Sequence, residues 1–241
     1  MSQVKLGDKN IPFIYQGNEL LYPNPIRDGL ILYYDFKAMS NTSSTKGIAK
    51  DISGLNNDGV LRNFVYTNQS GYDNGLKFDN VDDEIGVNVE LKHSFTISHT
   101  VDMDLTNPVQ FFNAFTLSGF YLRRNYNALH CSVYTDKNLS STSGGNLFFY
   151  NLENENKTKA VVTMVVNGFD KTVTLYGNGE KLATTDTVIP VADVKLTKLG
   201  RWNSGNTNLT GKLLSTQVYN RALTDQEIEH NYQLEKERWG L

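Results

Sequence analysis

KAVVTMVVNGFDKTVTLYGNGEKLATTD, residues 159–186, holds three short runs rich in β-branched and aromatic side chains, cut by Asn167-Gly168 and by Gly177-Asn178-Gly179. Such turn residues supply the positive φ angles that a hairpin between right-twisted strands requires. The stretch therefore reads as three consecutive antiparallel strands.

The same pattern extends in both directions. LILYYDFK, GVLRNFVY, GLKFD, EIGVNVEL, FTISHTVDMDL, QFFNAFTLSGFYL, LHCSVY and NLFFYNL precede it, VKLTKLGRW and GKLLSTQVYN follow it, and no long helical pattern intervenes. Strands at this spacing fold as stacked antiparallel sheets, so the expected fold class is an all-β sandwich and a parallel α/β arrangement is excluded. Only the C-terminus reads as helix. In RALTDQEIEHNYQLEKERWGL, Thr224 and Glu227 form a capping box, Leu223 and Ile228 a hydrophobic staple, and Gly240 a stop, which places a helix over 224–239. Ile228, Tyr232 and Trp239 share one face at helical spacing and are expected to lie on the sandwich.

Residues 4–22 break into three β-like pieces before Pro23-Asn24-Pro25, so residues 1–27 are expected to form a β arm with a stiff linker, and 28–241 the sandwich with its helix. So short an arm cannot close its own core. It must lie on the main body or on another chain, which points to a homo-oligomer or a multicopy assembly.

Bulk properties narrow the function. A net charge of −3 with no run of five or more basic residues excludes a nucleic-acid footprint. The single cysteine, Cys131, lies among apolar neighbours and reads as a packed strand residue. The N-terminal segment lacks a secretory pattern and no run approaches the ~18 apolar residues of a membrane span, so no membrane partner is expected and synthesis is placed in the cytoplasm. His93, His99, His130 and His230 show no zinc spacing, and there is no G-x-S-x-G elbow.

GLILYYDFK (29–37), DISGLNNDGVLRNF (51–64), GLKFDNVDDEIGV (75–87), TLYGNGEKL (174–182), KLGRW (198–202) and YNRALTDQEI (219–228) together resemble the laminin-G-like branch of the concanavalin A-like lectin/glucanase superfamily. The resemblance implies an antiparallel jelly roll. The arm with its Tyr-Pro-Asn-Pro junction and the tail Glu-Lys-Glu-Arg-Trp-Gly resemble those of structural proteins of tailed bacteriophages, which implies a place on a virion and contacts to other virion proteins through residues 1–27.

Three kinds of site follow. Asp79, Asp82, Asp83 and Glu84 crowd one short stretch, but Val81 stands where an EF-hand needs an oxygen ligand, and a tight turn explains the acids. No cofactor is expected; some relatives hold calcium on such loops, and calcium is the one ion these hard carboxylates would suit. Asp102 and Asp104 repeat at the spacing of one strand face, yet the glucanase trio of two glutamates around an aspartate is missing, so a glycoside hydrolase ranks last. Recognition remains, and the expected protein is a non-catalytic, lectin-like adhesion module for host-surface or environmental glycans; the alternative is a purely architectural particle protein. A sugar site needs an aromatic face flanked by polar groups. Two loops have that makeup: 123–127, Arg123-Arg124-Asn125-Tyr126-Asn127, with Arg124, Tyr126 and Asn127 as its expected contacts, and 201–206, which opens with Arg201, with Trp202, Asn203 and Asn206 as its expected contacts.

Overall fold

A computed structural model describes residues 25–115, 121–134, 139–144, 148–186, 193–202 and 208–241, together with 5–6, 9–10, 14–16 and 19–22; at 5–22, 115, 133–134 and 139–143 it describes the backbone alone. The expected sandwich is present. The first sheet runs β15 (Leu139–Gly144), β14 (Ala128–Tyr134), β13 (Tyr121–Asn125), β12 (Val109–Phe115), β19 (Val194–Leu199), β10 (Glu84–Leu91), β7 (Gly59–Arg62), β6 (Ile48–Ala49). The second runs β18 (Glu180–Asp186), β17 (Thr172–Gly177), β16 (Lys159–Asn167), β11 (Phe95–Met103), β20 (Thr210–Tyr219), β9 (Leu76–Asp79), β8 (Gly71–Tyr72). β5 (Leu30–Asp35) pairs with the C-terminal half of β20, beyond the part that β9 occupies. Every pairing among the described strands is antiparallel, including β1 (Lys5–Leu6) with β2 (Lys9–Asn10) and β3 (Ile14–Gln16) with β4 (Glu19–Tyr22).

Strand alternation builds the core between the sheets. In β10, Ile85, Val89 and Leu91 turn inward, where they join Phe78, Phe95 and Phe112 from both layers. One polar chain crosses this apolar space. Asn113 Nδ2 donates to His99 Nε2 (3.2 Å), which leaves His99 Nδ1–H to donate to Thr216 Oγ1 (3.0 Å), while Asn113 Oδ1 accepts the Leu122 N–H (2.9 Å) beside the bulge in β12. The two sheets are thus tied by one fully satisfied polar network. Cys131 is buried in β14, as its neighbours imply.

Of the two turns read from sequence, one differs in detail. Asn178 (φ 50°) and Gly179 (φ 80°) form the expected left-handed turn between β17 and β18. At 167–171 the left-handed residue is Lys171 (φ 55°), and Asn167 Oδ1 instead gathers the Phe169 and Asp170 N–H groups (3.1 and 3.2 Å). Gly168 is needed for space: a Cβ there would stand 2.6 Å from the His93 carbonyl oxygen.

Residues 148–152 correct the strand reading of NLFFYNL, whose first two residues lie outside the described ones. Phe148–Asn154 is a short helix, α1, which buries Phe149 and Leu152 on one side and exposes Tyr150, Asn151 and Glu153. The three-residue spacing of its buried pair is helical, and the neighbouring apolar residues concealed it.

The C-terminal helix, α2 (Asp225–Trp239), starts at Thr224 with both capping-box bonds formed and ends at Gly240 in the left-handed conformation. Arg221 grips Glu227 through both Nη atoms (2.9 and 2.7 Å), which outweighs burial and, with the Thr224 N–H, holds that carboxyl down at about 2. T224A is expected to cost about 1 kcal/mol, read as a lower Tm in thermal denaturation, because it orphans the Glu227 N–H.

Leu223 and Ile228 pack with Leu30, Tyr33, Tyr176 and Tyr219 on the outer face of the second sheet. The buried side of α2 then turns through Asn231, Leu234, Glu235 and Arg238 to Trp239. Tyr232, expected on that side, instead lines a cavity of about 420 Å3 with Phe148, Glu180 and Glu229. The sheet beneath the helix offers hydroxyl and amide groups, so polar helix residues occupy positions that an apolar stripe would have filled. Glu235 accepts from Ser215 Oγ (2.6 Å), Thr100 Oγ1 (2.7 Å), Gln217 Nε2 (3.3 Å) and Tyr33 OH (3.4 Å), and Arg238 pairs with Asp35. Among the described residues, no helix is long and apolar enough to cross a membrane.

Candidate functional site

The outer face of the first sheet carries an aromatic group assembled from three places in the chain. Phe111 on β12 lies opposite Arg123 on β13, and Arg123 lies opposite His130 on β14, so the three form one row across the sheet. In the next row, Tyr121 and Lys198 flank Ala114 from β13 and β19. Trp202, just past β19, stacks on Phe111 (ring centroids 4.8 Å, 21° between planes) and meets Tyr121 edge-on (4.9 Å, 89°). The result is a partly exposed indole packed against two rings, a shape suited to the apolar side of a pyranose.

Cations border this platform. The Arg123 guanidinium lies 5.2 Å from the Phe111 ring and 4.9 Å from the Tyr121 ring, its Nε has no hydrogen-bond partner, and no carboxylate pairs with it among the described residues. His130 packs on Tyr121 (5.6 Å) with Nδ1 likewise without a partner, and burial, helped by the Arg123 charge, pushes its pKa down. Further along the face, Glu84 is buried among Arg62 (2.9 Å), Lys198 (3.2 Å) and Arg201 (3.6 Å). Burial raises its pKa, but the bonds from Arg62 and Lys198 outweigh that and hold the carboxyl below its ordinary value. The Arg62 guanidinium lies over Gly86, 2.7 Å from where a Cβ would stand.

The expected site residues fall in different places. Trp202 is central. Tyr126 (64% exposed, φ 55°) and Asn127 stand exposed at the tip of the β13–β14 hairpin beside α1, away from Trp202. Arg124 is only 2% exposed; its guanidinium donates to the Leu105, Asn107 and Tyr126 carbonyls (2.9, 3.0 and 2.9 Å) and lies over Phe149. It holds loops together, and Arg123 is the arginine that faces outward. Asn203 and Asn206 lie outside the described residues. Phe111, Tyr121 and His130 were not singled out from sequence as ligand contacts, and Arg123 entered only as the first residue of the 123–127 loop; alternation within YLRRN, where the outward positions are Tyr121, Arg123 and Asn125, was the signal for the two on β13.

The acidic stretch forms a turn. Asp79 Oδ1 accepts the Val81 N–H (2.8 Å), Asn80 is left-handed (φ 65°), and buried Asp83 accepts the Asp79 N–H (2.9 Å) and the Ser70 hydroxyl (3.3 Å). The ligand atoms of Asp79, Asp82 and Asp83 lie within 4.8 Å of one another. Burial, with Asp79 beside it, pushes Asp83 up to about 7, the direction of a carboxyl that keeps its proton. Asp83 already commits both oxygens to the turn, Oδ2 to the Asp79 N–H and Oδ1 to the Ser70 hydroxyl. Asp104 lies past the end of β11 and caps a turn by accepting from Thr106 N (3.0 Å), whereas Asp102 accepts from Thr158 Oγ1 (2.5 Å). The same-face pair expected from strand spacing is lost because the strand stops between them.

A laminin-G family model of the concanavalin A-like lectin/glucanases superfamily matches residues 70–229. The chain belongs to that superfamily. No curated protein matches it. Among solved structures, similar folds include the botulinum neurotoxin serotype D ligand binding domain in complex with N-acetylneuraminic acid (18% identity, 86% of this chain and 51% of that one, TM-score 0.65). Another is the Ruminococcus gnavus IT-sialidase CBM40 bound to α2,3-sialyllactose (16% identity, 65% and 95% covered, TM-score 0.50). A third is the binding domain of botulinum neurotoxin DC in complex with rat synaptotagmin II (14% identity, 86% and 52% covered, TM-score 0.55). The chain spans about half the length of the toxin domains it matches. At these identities the likeness is one of fold.

Proposed function

We propose that this concanavalin A-like domain is a non-catalytic, lectin-like glycan-binding module whose site is the outer face of the first sheet. The observation that carries the reading is Trp202 stacked on Phe111 and braced by Tyr121, with Arg123 beside it. A pyranose laid on the indole would bury its C–H face there and turn its hydroxyls toward Arg123 and His130. Similar folds solved with N-acetylneuraminic acid and with sialyllactose support the reading. So shallow a platform binds weakly as a single copy, and useful attachment comes from many copies acting together.

The finer assignment is a virion-associated adhesion protein that meets host-surface or environmental glycans, with residues 1–27 attaching the sandwich to other virion proteins. Mass spectrometry of purified particles tests this location, and absence of the chain from them would remove it. The binding claim is tested on an array of polymer-linked glycans with the protein displayed multivalently. W202A is expected to weaken capture about tenfold or more, since aromatic stacking contributes ~1 kcal/mol per contact and multivalency amplifies it, while leaving the Tm within a few degrees of wild type. Unchanged capture by W202A, or no capture of any glycan by wild type, would defeat the proposal.

A further inference from the structure

Resting on the glycan reading, we infer that the platform selects saccharides bearing an anionic substituent, a carboxylate or a phosphate, and that Arg123 is the residue that reads it. The chain as a whole is acidic, with a net charge of −3, so cations gathered on this face run against its average. Arg62, Lys198 and Arg201 share the single buried carboxylate of Glu84. Arg201 also donates to the Asp82 carbonyl (3.0 Å), which ties that group to the acidic turn.

Arg123 differs from all three. It stands three strands from Glu84 in the order β13, β12, β19, β10, about 14 Å at ordinary strand spacing, and no counter-ion reaches it among the described residues. The flanking Phe111 and Tyr121 rings hold the guanidinium plane in place without using its N–H groups. A planar fork fixed in this way, with its charge uncompensated, is prepared to take two oxygens of a carboxylate or phosphate side by side. The sugar ring attached to that anion would fall on Trp202, which shares both rings with Arg123. Stacking thus accounts for affinity toward any suitable pyranose, and the guanidinium for the choice among them.

The test uses full-length protein on matched polymer-linked pairs: lactose against α2,3-sialyllactose for the carboxylate, and mannose against mannose 6-phosphate for the phosphate. In at least one pair the acidic member is expected to bind about tenfold tighter, the size of a hydrogen bond to a charged group, and this preference should shrink as salt rises. R123Q should bring the acidic-to-neutral ratio close to one, whatever it does to binding of the neutral member, and R123K, which keeps charge but loses the fork, should give a ratio in between. Equal binding of acidic and neutral partners in both pairs would overturn anion selection and leave the glycan reading standing. A preference that survives R123Q unchanged would overturn the assignment to Arg123. Failure to bind any of the four would sink the glycan reading and this inference with it.

Discussion

Replacing Glu235 with alanine is expected to remove about 3–4 kcal/mol of folding stability, the largest effect of any single substitution outside the apolar core. Glu235 is fully enclosed between α2 and the second sheet, and Ser215, Thr100, Gln217 and Tyr33 all point donors at its two oxygens. Truncation to a methyl group orphans those donors and opens a cavity beneath the helix. Burial outweighs the hydrogen bonds and raises the Glu235 pKa. E235Q keeps the side-chain volume and a carbonyl oxygen among those donors and should cost far less. Urea titrations of both variants at neutral pH check this; equal losses for the alanine and glutamine variants would show that the bonds to Glu235 do not hold the helix down.

Acid lability traceable to His99 is the second large effect. Burial alone holds this imidazole down at about 3, against about 6.5 in an unfolded chain. A base whose folded pKa is lowered contributes its full stability above pH 6.5 and loses it as pH falls, because only the unfolded state takes up the proton between about 6.5 and 3. Over three pH units within that window the loss amounts to about 4 kcal/mol at 1.36 kcal/mol per unit. Asp83, pushed up to about 7 chiefly by burial, opposes it, since the folded state takes up its proton as pH falls through 7. Comparing wild type with H99Q at each pH cancels that carboxyl. The stability gap between the two proteins should move in favour of H99Q by about 1.4 kcal/mol per unit below pH 6, and a gap that stays constant from pH 7 to 4 would refute the buried neutral imidazole.

Much of the fold was legible because local chemistry and global architecture agree. The Thr224 capping box, the Gly177-Asn178-Gly179 turn and the alternation in EIGVNVEL each point to the element that forms there. The candidate site was less legible for a geometrical reason. Arg123 and Arg124 are adjacent and identical in kind, so only strand phase separates the outward arginine from the buried one, and the bulge between Phe111 and Asn113 shifts register on the neighbouring strand. Phe111, Tyr121 and Trp202 are far apart in sequence and meet only when β12, β13 and β19 pair. At α1, two adjacent phenylalanines look like a strand until one sees that Phe149 and Leu152 are the pair that packs. On α2 the buried face includes Asn231 and Glu235, residues that no search for an apolar stripe would select.

Trp202 and Trp239 are the only tryptophans in the chain, and Trp239 is buried at the end of α2. A W239F protein therefore carries a single indole at the proposed sugar platform. Titrating it with a polymer-linked glycan that wild type captures should give a saturable change in Trp202 emission with the same midpoint as binding followed on a surface. A glycan held firmly while that emission stays flat would place recognition elsewhere on the molecule.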